Sequence, residues 1–199
     1  MKENNWFDPF YIQSHLNEEE INIQKNVRDF CNNELKPRVV ESNRKNEFDQ
    51  NLYPKLGSLG VLGQTVKTHG GSGTSNLAYG LVAYEFEKID SSYRSSISVQ
   101  SSLVIHPINE FGSQEQKDKY LPQLIKGEKI GCFGLTESEA GSDPASMKTS
   151  FKQTKDGYIL NGSKNWITNA PIADIFIIWA IEENKDHKSI KGFIIEKNT

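Results

Sequence analysis

The feature that most constrains the fold is a change of texture at Gly127. Before it, apolar residues recur three and four positions apart; after it, the chain breaks into short alternating or apolar runs separated by turn signals. Side chains repeat every ~3.6 residues on a helix and every two on a strand, so one pattern cannot be seated in the other element. The sequence therefore predicts an α+β chain, with an all-helical domain over residues 1–128 and an antiparallel β domain over 129–199.

Within the helical part, Asn17 followed by Glu18, Glu19 and Glu20 is a helix start, because the amide side chain caps free N–H groups and the carboxylates complement the positive end of the dipole. Ile21, Val27, Phe30, Cys31 and Leu35 continue as an apolar stripe, which Pro37 kinks or ends. Asp49 is a candidate cap for a short helix through Leu52, Leu56 and Leu59, weakened and closed by Gly57 and Gly60. Leu77, Leu81, Val82, Phe86 and Ile89 mark a buried face over residues 74–89. Asp90, Ser91 and Ser92 interrupt it and cap a helix expected over 93–105, before Pro107. Ser113 opens a last helix with Tyr120, Leu121, Leu124 and Ile125 apolar, closing at Gly127. The aromatics Trp6, Phe7, Phe10 and Tyr11 lack periodicity and read as an arm laid over something else.

Strands are expected over 130–135, 148–153, 158–161, 165–168, 175–181 and 191–195, with Asp156-Gly157 and Asn161-Gly162 favouring tight hairpins. Because Thr199 directly follows a strand, the sheet reads as unfinished, or as having its last edge covered by another chain.

A formal net charge of -3 gives no basis for a nucleic-acid partner or a basic membrane-binding surface. Cys31 and Cys132 are far apart and in no metal-ligand spacing, which reads as two reduced, partly buried thiols. The opening MKENNWFDPFYIQSH lacks the apolar core of a signal peptide, and the longest apolar run, 175–181, is too short to span a bilayer, so the expected location is cytoplasmic.

Two stretches carry candidate chemistry. GCFGLTESEAGSD, residues 131–143, is an apolar run that gives way to small and acidic residues; Gly134 and Gly141 permit close backbone approach, and the Thr136 and Ser142 hydroxyls can bind carbonyl or phosphate oxygens without adding charge. Taken alone, its composition slightly favours a polar turn with no ligand. SKNWITNA, residues 163–170, alters that balance: on an extended strand Trp166 and Thr168 share a face, and an indole beside a hydroxyl can pack and orient a planar heterocycle. The glycines of VLGQTVKTHGGSGTSN do not complete the G-x-G-x-x-G pattern of a dinucleotide fold, so that segment reads as a loop. Along the following helix, Arg94 and Ser98 lie four apart and Ser95 and Ser98 three apart, a narrow polar face able to select a carboxylate. The blander alternative, a solvated Arg94 paired with Glu87 or Asp90, is the one that local composition favours. His106 reads as structural.

Together, YRSSISVQSSLVIHPI, FGSQEQKDKYLPQLIKGEKIGCFGLTE, AGSD and LNGSKNWITNAPIAD resemble the acyl-CoA dehydrogenase family over nearly the whole chain, and within it the glutaryl-CoA branch. The resemblance implies a helical N-terminal domain, a middle β domain and a C-terminal four-helix bundle that these residues do not contain, with FAD held between subunits of a homotetramer. Matching positions would put Phe133, Leu135, Thr136 and Ile167 along the flavin, Gly141 and Ser142 near the pyrophosphate and thioester, Trp166 beside the ring, and Thr168 near the flavin N5. Glu87, Arg94, Ser95 and Ser98 would surround the distal carboxylate of a glutaryl-CoA substrate, with Ser142 also on the substrate side. The implied chemistry is proton abstraction by a glutamate, hydride transfer to the flavin, decarboxylation to crotonyl-CoA and reoxidation by an electron-transfer flavoprotein. No glutamate here matches the catalytic base, so these 199 residues are expected to be inactive alone. Ser138 departs from the proline usual after Thr-Glu. Two other readings stand beside this one: a non-catalytic remnant or half of a split gene that binds flavin, acyl-CoA or a partner, and a dehydrogenase of short or branched monocarboxylic acyl-CoA.

Overall fold

A computed structural model describes Asp8 and residues 10–199; Trp6 and Phe7 lie outside the described residues. Helix α1, Glu18–Phe30, starts where the sequence places it, with Asn17 and Glu20 forming a reciprocal capping box. Its buried residues, however, include Glu20 and Gln24 beside Val27, while Ile21 is exposed. The polar pair is buried because each bonds across to α4, Asn76–Glu87: Ser75 Oγ donates to Glu20 Oε1 at 2.8 Å and Gln24 Nε2 donates to Glu85 Oε1 at 2.9 Å. Glu85 is the hub of that interface. Arg28 Nη2 lies 2.9 Å and Lys88 Nζ 3.2 Å from its two oxygens, and these partners outweigh burial to hold its carboxyl below the usual range. Leu77 of α4 is likewise exposed rather than buried.

After α1 the chain widens into a π-helical stretch, Cys31–Leu35, and leaves the helix before Pro37 enters α2, Val39–Lys45, by way of a turn. Helix α3, Leu52–Ser58, begins at Asn51; Asp49 is not its cap but accepts from the Asn51 N–H at 3.0 Å, in the turn ahead of it. Gly57 does more than weaken α3. A Cβ there would stand 2.1 Å from the Lys126 carbonyl oxygen, so the glycine lets α3 abut the end of α7, Gln114–Ile125.

The helix expected over 93–105 is longer at both ends. It begins as α5, Ser91–Ser98, on an Asp90 cap, passes through a π-helical stretch, Val99–Ile105, and continues as α6, His106–Phe111. Pro107 does not end it, because proline's missing N–H and its ring fall where the backbone has already switched to five-residue bonding, with His106 N–H donating to Ser101 O.

The strands are β1, Gly131–Gly134; β2, Ser150–Thr154; β3, Gly157–Asn161; β4, Ile175–Glu182; and β5, Lys191–Glu196. A helical region followed by a β region is as expected, but the sheet is mixed. β4 pairs antiparallel with β5 and parallel with both β1 and β2, while β2 and β3 form an antiparallel hairpin around Asp156-Gly157. Long connections separate β1 and β2 from β4, and a long connection is what parallel pairing requires. Asn161-Gly162 makes no hairpin, and residues 165–168 form no strand. One apolar core runs through Leu35, Phe86, Ile105 and Leu124 to Ile175 and Ile177 of β4, seating the sheet on the helices.

Candidate functional site

The end of β1 and the turn before β4 are fastened to each other by a buried ion pair. Lys164 Nζ lies 2.8 Å from Glu137 Oε1 and donates to the Leu135 carbonyl at 2.9 Å, with both side chains under a tenth exposed. Burial alone would push the Glu137 carboxyl up. The Lys164 ammonium, Thr149 and the backbone N–H groups of Lys148 and Thr149 outweigh it and hold the group down at about 2. Asn165 N–H completes the fastening by donating to Thr136 O at 2.9 Å. Beyond it, Glu137 and Ala140 exchange backbone hydrogen bonds of 3.1 and 3.3 Å, closing the ESEA turn and presenting Gly141 and Ser142 to solvent.

The two candidate glycines of β1 and its loop play different parts. At Gly134 a Cβ would meet Ile178 Cδ1 at 2.6 Å, so the close approach there is internal to the protein, whereas Gly141 has open space where its side chain would be. Phe133 is half-buried and packs edge-on against Trp179 at 6.0 Å. Leu135 and Thr136 are half-buried at the strand end.

Trp166 does not sit on a strand. Its φ of 59° is left-handed, a region that costs a bulky residue energy, and the residue is 94% exposed. It is therefore neither core nor extended, and Trp166 and Thr168 do not share a strand face. Ile167 and Thr168 are half-buried. Thr168 lines a cleft of about 470 Å³ that also contains Ser95, Ser96, Phe48 and Asn169, so the turn and the first polar residue of the helical face meet there.

Arg94 and Ser98 point elsewhere. Arg94 Nε donates to Glu87 Oε2 at 2.7 Å and Nη1 donates to Ser98 Oγ at 3.3 Å, while Ser91 Oγ donates to Glu87 Oε1 at 2.6 Å. The Ser91 and Arg94 bonds draw the Glu87 carboxyl below its usual range. The structure thus joins Glu87, Arg94 and Ser98 in one hydrogen-bonded cluster and puts Ser95 on the neighbouring cleft.

Sequence reasoning missed the groups that hold these parts in place. Gln100, fully buried, accepts from Gly131 N–H at 2.8 Å and donates to the Leu124 and Lys129 carbonyls at 3.0 and 2.9 Å. Asn169 donates to the Gly131 carbonyl at 3.2 Å. The local signal was weak: Gln100 opens a polar Gln-Ser-Ser triplet between Val99 and Leu103, and Asn169 follows a turn. Burial pushes both thiols, Cys31 and Cys132, up to about 12. Among the described residues, no helix is long and apolar enough to cross a membrane.

Comparison with known proteins bears on this arrangement. The family model for the acyl-CoA dehydrogenase N-terminal domain matches residues 17–128, and that for the acyl-CoA dehydrogenase middle domain matches 132–199. An acyl-CoA dehydrogenase of Bacillus subtilis (strain 168) is 37% identical over 93% of this chain and 49% of its own length. A short-chain specific acyl-CoA dehydrogenase of Clostridium acetobutylicum is 40% identical over 92% of this chain and 49% of its own length. The crystal structure of a glutaryl-CoA dehydrogenase from Mycobacterium smegmatis in complex with FADH2 superposes with a TM-score of 0.91 at 40% identity, covering 96% of this chain and 48% of that one. The chain thus spans about half the length of the relatives it matches. Matches to both domain models, in the same order as the helical and mixed-sheet regions, lead to one conclusion: the chain belongs to the acyl-CoA dehydrogenase family.

Proposed function

We propose that this chain carries the flavin-facing and acyl-facing surfaces of an FAD-dependent acyl-CoA dehydrogenase, divided between domains 1–128 and 129–199. The observation that carries the reading is Trp166, a large residue 94% exposed on left-handed backbone two positions before Thr168. An exposed ring is a cost to the free fold that a planar ligand stacked on it offsets. The donor set fits FAD: the uncharged hydroxyls of Thr136, Ser142 and Thr168, the rings of Phe133 and Trp166, and an open backbone approach at Gly141. In this reading Phe133, Leu135, Thr136, Trp166, Ile167 and Thr168 hold the flavin ring, and Gly141 and Ser142 face its pyrophosphate and the thioester.

FAD, when bound, supplies the hydride acceptor. The chain's own residues supply position. Lys164 and Glu137 lock the two loops, and the carboxylates of this region are already engaged: Glu137 with Lys164, and Glu87 with Arg94 and Ser91. None is disposed as the base that removes the proton beside a thioester, so these 199 residues are expected to bind ligand without turnover.

For the substrate, the Glu87, Arg94 and Ser98 cluster supports a dicarboxylyl-CoA such as glutaryl-CoA, oxidised and decarboxylated to crotonyl-CoA. The ion pair itself favours a second reading, a short or branched monocarboxylic acyl-CoA, because Glu87 already neutralises Arg94. Reoxidation by an electron-transfer flavoprotein and assembly into a homo-oligomer belong to both readings. The test is titration of the chain with FAD, followed by competition between glutaryl-CoA and butyryl-CoA for wild type and Arg94→Ala. Saturable FAD binding and a glutaryl preference lost in Arg94→Ala support the first reading. Equal binding of both esters, unaffected by the substitution, supports the second. No binding of FAD at high micromolar concentration overturns the flavin site and leaves an interaction module.

A further inference from the structure

Asn169 follows directly on the Trp166, Ile167 and Thr168 turn and has two unusual properties at once. Its backbone is left-handed, with a φ of 70°, and its side chain is buried, 8% of the residue remaining exposed. The Nδ2 group has two N–H bonds and faces two carbonyl oxygens, Gly131 O at 3.2 Å on β1 and Ser96 O at 3.5 Å on α5. One side chain thus ties the turn to the strand that leads into Phe133 and to the helix that bears Arg94 and Ser95.

We infer that Asn169 is the positioning residue that sets the Trp166 and Thr168 turn relative to both layers, and thereby couples the acyl-facing helix α5 to the flavin-facing strand end. The inference rests on the flavin reading of that site. Chemistry narrows the residue to asparagine. Glycine would adopt the left-handed backbone but donates nothing, and aspartate is nearly isosteric but would set a carboxylate against two carbonyl oxygens. Glutamine adds a methylene in a packed site, and alanine loses both the bonds and the backbone preference. The surroundings agree with a fixed turn: Ala170 N–H donates to Ile167 O at 3.1 Å and Ile172 N–H to Asn169 O at 2.9 Å, so the peptides on both sides are already closed into turns. Asn169 and Thr168 also line the same cleft as Ser95 and Ser96, so a shift of the turn alters the wall that faces α5.

The experiment compares wild type with Asn169→Gly and Asn169→Asp in the full chain, by hydrogen exchange of the Ala170 and Ile172 amides and by FAD titration with the visible spectrum of the bound flavin. In Asn169→Gly, which keeps the backbone geometry, both amides are expected to exchange at least tenfold faster, and FAD to bind about tenfold more weakly with a changed band shape at saturation. Asn169→Asp should be weaker still. A merely structural role would lower the bound fraction but leave the spectrum of bound flavin unchanged, and that result overturns the inference. So does unchanged amide exchange in Asn169→Gly. If wild type binds no FAD, the flavin reading fails by itself, and the exchange rates still decide whether Asn169 fixes the turn.

Discussion

Lys164 Nζ and Glu137 Oε1 stand 2.8 Å apart, with 7% and 8% of their side chains exposed, and join the two loops that present the candidate ligand surface. Removing one partner leaves the other charge buried, so Lys164→Met is expected to cost roughly 3–5 kcal/mol in urea unfolding. The pH dependence should weaken. In wild type, Glu137 lies at about 2 when folded against an ordinary 4.5, so its contribution is complete above 4.5 and declines as pH falls toward 2. In Lys164→Met the Lys148 and Thr149 donors still oppose burial, so the carboxyl rises from about 2 toward its ordinary 4.5, and the stability lost between pH 4.5 and 2 should be smaller than in wild type. Parallel pH profiles for the two proteins would contradict this.

Trp166 separates binding from folding. Because the residue is 94% exposed, Trp166→Ala should change stability by no more than about 0.5 kcal/mol, and Trp166→Gly should match or slightly exceed wild type by relieving the left-handed backbone. Both should weaken FAD binding about tenfold, the worth of a stacked ring. Thermal melts and flavin titration on the same samples check it; a large drop in melting temperature would mean that the indole packs against the protein after all.

Gln100 bonds three backbone groups with one amide, so Gln100→Leu strips the Gly131 N–H and the Lys129 carbonyl of this partner, while the Leu124 carbonyl keeps the Gly127 N–H. The expected loss is roughly 2–4 kcal/mol, larger than for a typical single hydrogen bond. Urea unfolding followed by circular dichroism gives the number, and a loss below about 1 kcal/mol would show that water replaces the amide.

Cys31 and Cys132, both buried and pushed up to about 12, should resist an aromatic disulfide reagent at pH 8 and react only as fast as the chain opens. Adding urea below the unfolding midpoint should accelerate both thiols. Immediate reaction of either in buffer would contradict its burial.

Much of the fold was legible because local chemistry and tertiary packing agree. Asn17 with Glu20 and Ser113 with Gln116 form the caps their spacing implies, and Asp156-Gly157 forms the hairpin it favours. Where the reading failed, long-range partners decided. Glu20 and Gln24 displaced Ile21 from the buried face of α1 because α4 offers them Ser75 and Glu85, which helical periodicity does not register. The parallel pairing of β1 with β4 follows from a long connection rather than from either strand's own residues. At the site, the glycines, hydroxyls and indole could be named from sequence, but not the bend at Trp166, since nothing local announces a bulky residue in the left-handed region. The ion pair of Glu137 and Lys164 spans 27 residues of sequence, beyond any local pattern.

The π-helical stretch, Val99–Ile105, also governs which genetic changes this chain can absorb. Such a stretch holds about one residue more than an α-helix of the same rise, so deleting one residue there would make the helix regular and locally more favourable. The extra residue is taken up in the wider turns, so its loss would leave the helix beyond it nearly in phase and keep Ile108 in the core. A single-codon loss between Ser98 and His106 is therefore the change of length that this helix can take while its far end stays on the core.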